Sequence, residues 1–119
     1  MARVVAFIPD LLFGSNVLGA LNAAGHEVAL ASDAEAVRRE LPGAEALVVD
    51  LTADAGARIE QVSAIRQPGV RTLAFYSHVE QDVRTQAEQA GFDLVIPRSR
   101  MAREGAALVT HLVRSPPTD

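Results

Sequence analysis

A chain of 119 residues, 49% hydrophobic and 22% charged, is long enough for one compact domain and too short for two. It contains no cysteine, which excludes disulfides, thiolate metal centres and cysteine nucleophiles; all 11 basic residues are arginine, which excludes Schiff-base, P-loop and other lysine chemistry. With a net charge of −4, no basic run and no apolar run of membrane length, neither nucleic acid nor a bilayer is an expected partner.

The N-terminal MARVVAFIPD reads as an acid-bounded strand over Arg3–Ile8 rather than a signal peptide, which makes the expected location cytoplasmic. Ser15 is the predicted cap of a first helix, with Val17, Leu18, Leu21 and Ala24 on one stripe and Gly25 as its stop. A second strand, Glu27–Ala31, leads to Ser32 and Glu35, which match a capping box; Pro42-Gly43 closes that helix. The third strand is Ala46–Leu51. Asp54 then starts a helix with Ile59, Val62 and Ile65 inward, before Pro68-Gly69. Strand four, Val70–Tyr76, precedes a second capping box, Ser77 with Glu80, whose helix carries Val83, Ala87 and Ala90 and stops at Gly91. Phe92–Ile96 is the fifth strand, and Ser99 opens a last helix with Met101, Leu108 and Leu112 toward the core. A single domain over residues 1–114 is expected, followed by a fraying polar tail, Ser115 to Asp119.

The first, third and fifth strands are nearly continuous in apolar residues, as suits strands covered on both faces. Five strands alternating with five helices predict an α/β fold. It is a doubly wound, five-stranded parallel sheet in the flavodoxin-like order 2-1-3-4-5, sandwiched between helices. Ligands of such sheets sit beyond the carboxyl ends of the strands, near the switch between strands 1 and 3. The residues placed there are Pro9 and Asp10, Asp50, Ser77 and His78, and Pro97, Arg98 and Ser99.

Three stretches, ALVVDL with Asp50, LAFYSH with Ser77, and AEQAGFDLVIPR, occur in the order and spacing of response-regulator receiver domains. The chain resembles the CheY-like kind over nearly its whole length. The resemblance implies that Asp50 is the phosphoacceptor for a histidine kinase. It also implies that Asp10 and Asp50 hold Mg²⁺ and that Ser77 bonds the phosphoryl oxygen. The pattern is incomplete. The acidic pair after strand 1 reads Pro9-Asp10, the phosphate-pairing lysine is replaced by Pro97, and the switch aromatic of strand 5 by Leu94. The loop after Asp50, LTADAG, lacks the usual proline. A missing carboxylate weakens an Mg²⁺ site built on few protein oxygens. A missing lysine removes a charge-assisted contact worth ~1.5–3 kcal/mol to the phosphorylated state. Arg98 could supply a guanidinium in its place, one residue later.

Plainer roles stand beside these: Asp10 as a turn residue after Pro9, Asp50 as a polar strand terminus, Ser77 as a helix cap. His78 stands at the mouth of the pocket without a catalytic role. His26 follows a helix end, His111 is an amphipathic surface residue, and Arg98, Arg100 and Arg103 form an arginine face on the last helix. The AGHEV turn resembles that of dinucleotide-binding proteins, but the glycine fingerprint is missing. No His follows Asp10 as a cobalamin module would have it, and no elbow motif supports a hydrolase. No catalytic residue is expected, and no enzyme. The expectation is a stand-alone pseudo-receiver that signals by protein contact and carries at most a weak Mg²⁺ site. Its partner is a histidine kinase, another signalling protein or a second copy. In receivers the face of helix 4, strand 5 and helix 5 meets partners or forms dimers, which implies Val79, Val83, Arg84 and Arg103 here. The alternatives are a conventional single-domain response regulator phosphorylated on Asp50, and a flavodoxin-like module that binds a small molecule or anion.

Overall fold

Successive side chains of a strand point to opposite faces, and β1 (Arg3–Phe7) shows what that does in this sequence. Val4 and Ala6 pack, with the following Ile8, into one apolar cluster, while Val5 and Phe7 pack into another. Both faces of the strand are therefore covered. The first cluster holds Phe13, Val17 and Leu21 of α1 (Leu11–Ala23) and Met101, Val109 and Leu112 of α5 (Arg98–Arg114). Opposite lie Val37 of α2 (Ala34–Glu40), Val62 of α3 (Ala55–Ile65), and Val83 and Ala87 of α4 (Gln81–Gln89). The remaining strands are β2 (Glu27–Ala31), β3 (Ala46–Asp50), β4 (Arg71–Tyr76) and β5 (Leu94–Pro97), all parallel in the order β2-β1-β3-β4-β5. This three-layer sandwich, the predicted architecture, is a computed structural model that describes residues 2–114. The expected tail at 115–119 lies outside the described residues.

The element starts differ from the expected ones in an instructive way. Helix α1 begins four residues before Ser15, because Asp10 is its cap: Oδ1 accepts the Phe13 N–H at 3.0 Å. Asp33 rather than Ser32 caps α2, accepting the Ala36 N–H at 2.8 Å. Asp54 does precede α3, but in the left-handed region (φ 51°), where its side chain caps nothing. The Ser77–Glu80 box does not form. Glu80 is the residue before α4 and makes no side-chain cap, while the Ser77 carbonyl accepts the Glu80 N–H in a turn. Ser99 lies inside α5, which starts at Arg98 directly after Pro97. Side-chain caps are each worth only about 1 kcal/mol, so strand ends and packing decide which polar residue is used. Strand β5 also runs from Leu94 to Pro97 rather than 92–96. As an edge it is only half buried, contrary to the expectation of a strand covered on both faces.

His26, read from the sequence only as following a helix end, proves to be buried, 7% exposed. Its Nδ1 accepts the Ala2 N–H at 3.3 Å, and Nε2 lies 2.7 Å from Thr110 Oγ1. Thr110 in turn donates to the Ala106 carbonyl at 3.0 Å. With Nδ1 accepting and the Thr110 hydroxyl already donating, Nε2 is the ring nitrogen that donates to Thr110, and the chain of bonds ties the start of the sheet to α5. His26→Phe leaves the buried Ala2 N–H without its acceptor, so urea unfolding is expected to show a loss of about 1–3 kcal/mol with an unchanged m-value.

Candidate functional site

The parallel sheet carries β1, β3, β4 and β5 to one edge, where the chain leaves each strand toward its helix. At that edge an open cleft of ≈ 630 Å³ is lined by Phe13, Thr52, Ser77, His78, Glu80, Arg98, Ser99 and Ala102. Ser77, His78, Arg98 and Ser99, four of the residues singled out from the sequence, thus come together. The two carboxylates do not line it.

Asp50 ends β3 and is 3% exposed. Its Oδ1 accepts the backbone N–H of Thr52 at 2.8 Å and the Thr52 hydroxyl at 2.5 Å, an Asx-type turn that folds the carboxylate under its own loop. Arg58, on the second turn of α3, reaches back over the same group. One Nη1 nitrogen donates to the Asp50 carbonyl at 2.8 Å and lies 3.9 Å from Oδ2. The guanidinium carbon lies 5.8 Å from the Phe7 ring centroid. The side chains of this pair are 5% and 12% exposed, so the charges meet in a medium far less polar than water.

Asp10 is committed in the other direction, as the cap of α1. Its Oδ2 lies 3.7 Å from Arg98 Nη2, and the Arg98 guanidinium carbon lies 4.3 Å from the Phe13 ring centroid. Both side chains of this pair are about half exposed (48% and 49%), so it is worth roughly 0–1 kcal/mol. Each candidate carboxylate has therefore found an arginine of its own chain. An Mg²⁺ ion prefers an octahedral array of oxygens. Among the described residues no group of three or more His, Asp or Glu side chains is arranged to hold a metal. The oxygens of Asp10 and Asp50 that such an ion would take are directed at Phe13, Thr52 and two guanidinium groups. These residues do not fit Mg²⁺ as they stand.

The residues placed on the partner face divide. Val79 is 74% exposed, and Arg84 and Arg103 are exposed with Glu88 and Glu104 as ion-pair partners. Val83, 5% exposed, packs inward beneath α4 and is not part of that surface. The α4 periodicity that made Val83 a core candidate outweighs its nearness in sequence to Val79. Sequence reasoning missed Thr52 and Arg58. Thr52 has a legible signal, a hydroxyl residue two positions after an aspartate; Arg58 has none, because only the α3 packing angle brings it to Asp50.

No family model matches the sequence, and no curated protein does. Solved structures do. The chain is similar to a response regulator from Thermotoga maritima, with TM-score 0.81 and 17% identity over 97% of this chain and 99% of that one. It is similar to the signal receiver domain of NarL from Mycobacterium tuberculosis, with TM-score 0.76 and 22% identity over 97% and 98%. The receiver domain of Francisella response regulator 1452 gives TM-score 0.81 and 12% identity over 96% and 98%. At these identities the likeness concerns the fold, and the fold is the CheY-like receiver fold.

Proposed function

We propose that this receiver-fold chain is a signalling module that acts through protein contact in the cytoplasm, in one standing conformation, without Mg²⁺-dependent phosphoryl transfer to Asp50. The observation that carries the reading is the internal neutralisation of Asp50. A phosphoacceptor must offer a carboxylate oxygen to an incoming phosphorus with a metal beside it. Here Oδ1 is bonded twice to Thr52, Oδ2 faces Arg58, and the side chain is 5% exposed. The absence of lysine throughout the sequence and the engagement of Arg98 with Asp10 and Phe13 support the same reading. Its partner is a protein, a signalling component that recognises the folded surface itself. No covalent chemistry is assigned to the chain.

Amide NMR titration with Mg²⁺ and then beryllofluoride, a phosphoryl mimic, tests this directly. The expected result is no saturable shift at Asp10, Asp50, Thr52 or Ser77 up to millimolar Mg²⁺. Saturable shifts at those residues, abolished in Asp50→Ala, would overturn the proposal and establish a conventional response regulator phosphorylated on Asp50. Saturable shifts from an added anion at Ser77, His78 and Arg98, retained in Asp50→Ala, would assign the cleft to a small ligand instead.

A further inference from the structure

Strand β2 is one edge of the sheet, and among the described residues it pairs only with β1. Glu27 donates its N–H to the Ala2 carbonyl, and the Ala31 carbonyl accepts from Ile8, so residues 27, 29 and 31 direct their backbone groups at β1. Alternation along the strand turns the N–H and C=O of Val28 and Leu30 outward. Leu30 is 37% exposed and lies against Gly14 of α1, where a Cβ would come within 3.2 Å of its Cδ1. One turn before Gly14 on the same helix face stands Leu11, 77% exposed. Edge strands are ordinarily guarded by charge, proline or a bulge. The other edge, β5, ends in Pro97. On β2 the only charged side chain is Glu27, already paired with Arg3 at 2.6 Å, and no Asp, Glu or Arg occurs between Leu11 and Gly25.

We propose that β2 pairs antiparallel with β2 of a second copy, about a two-fold axis through Ala29, so that the two sheets become continuous. A second copy fits this register, and the scarcity of charge along β2 and α1 makes it the occupant we assign. Centred on Ala29, it sets Val28 opposite the partner's Leu30, so the outward-facing groups of each strand meet those of the other and every donor finds an acceptor. Those two side chains lie on the same sheet face as α1, which places apolar surface from both copies across the axis. Apart from Glu27, which Arg3 holds, β2 and α1 carry no Asp, Glu or Arg, so this stretch meets itself without repulsion and offers an acidic or basic partner little to recognise. This interface is independent of the state of Asp50 and lies at the opposite edge of the sheet from Val79 and Arg84.

The absence of cysteine makes the test clean. In this register Ala29 faces its symmetry mate as a non-hydrogen-bonded pair, with Cα atoms about 4.5 Å apart, within disulfide reach. The wild-type protein is expected to scatter light as a dimer, and Ala29→Cys to become a covalent dimer under mild oxidation, while Val79→Cys does not. Leu30→Lys is expected to weaken the dimer about tenfold or more, with its circular-dichroism melt retained. A wild-type monomer at millimolar concentration would overturn the proposal. So would a dimer in which Ala29→Cys cross-links no faster than Val79→Cys.

Discussion

Replacing Arg58 by methionine is expected to lower the unfolding free energy by about 2–4 kcal/mol, the scale on which removing one member of a buried pair strands the other. The carboxylate left behind has nowhere to go. Asp50 is 3% exposed, and its Oδ1 is already engaged by Thr52, so Oδ2 and the Asp50 carbonyl lose the guanidinium without gaining water. Methionine keeps most of the stem volume over Phe7, so the loss reports charge rather than packing. Denaturant titration of the two single variants and the double variant checks this. Asp50→Asn in the Arg58→Met background should recover at least about 1 kcal/mol, the coupling expected for contacting residues. An Arg58→Met cost below about 0.5 kcal/mol, ordinary for a surface substitution, would mean that the guanidinium is a bystander. The contrast with Arg98→Met is part of the prediction. That pair is about half exposed, so its loss should cost no more than about 1 kcal/mol.

The second large effect is expected at Phe75. Its side chain is fully buried on β4, and its ring centroid lies 5.1 Å from that of Phe13 at an interplanar angle of 46°. Truncation to alanine removes an aromatic contact and leaves a cavity under α1. A loss of about 3–5 kcal/mol follows. For a domain of this size that is a fall in Tm of roughly 10–20 °C by calorimetry. Phe75→Leu keeps most of the volume and should cost less than about 2 kcal/mol. The cleft should feel the change as well, because Arg98 stands over Phe13 and Phe13 stands on Phe75. In Phe75→Ala the amide resonances of Ser77, His78 and Arg98 are therefore expected to shift more than those of α2 and α3. Equal shifts everywhere would uncouple the cleft from this aromatic pair.

The two predictions mark the boundary of what the sequence makes legible. Phe75 is read easily: it sits in a run, RTLAFY, whose apolar density and position between two helical stretches identify a buried strand. The same holds for Val4, Val48 and Leu73, so the strand order and the two core clusters were foreseeable as a class. Helix starts were less so. Ser15, Ser32, Ser77 and Ser99 are all acceptable caps by type, yet Asp10 and Asp33 cap α1 and α2, because a cap contributes about 1 kcal/mol and the ends of the buried strands contribute far more. His26 read only as the residue after a helix end, and it bridges Ala2, just before the first strand, to α5. Its partner Thr110 lies 84 residues away, a separation that no local pattern encodes.

The sequence by itself determined the class of fold, the alternation of parallel strands with helices, and the absence of lysine and cysteine chemistry. It also determined that Asp10, Asp50, Ser77, His78 and Arg98 arrive at one edge of a sheet. Periodicity and composition carry those facts because they are local. What the tertiary structure alone decided is how the charges are spent. The packing of α3 against β3 lays Arg58 over Asp50, and the start of α5 lays Arg98 over Phe13 beside Asp10. Val83 turns inward while Val79 stays in water. The physical reason is the same in each case. A carboxylate's chemistry depends on which cations and dipoles lie within a few ångströms, and those neighbours are set by how helices dock on the sheet, over sequence separations that no spacing rule spans.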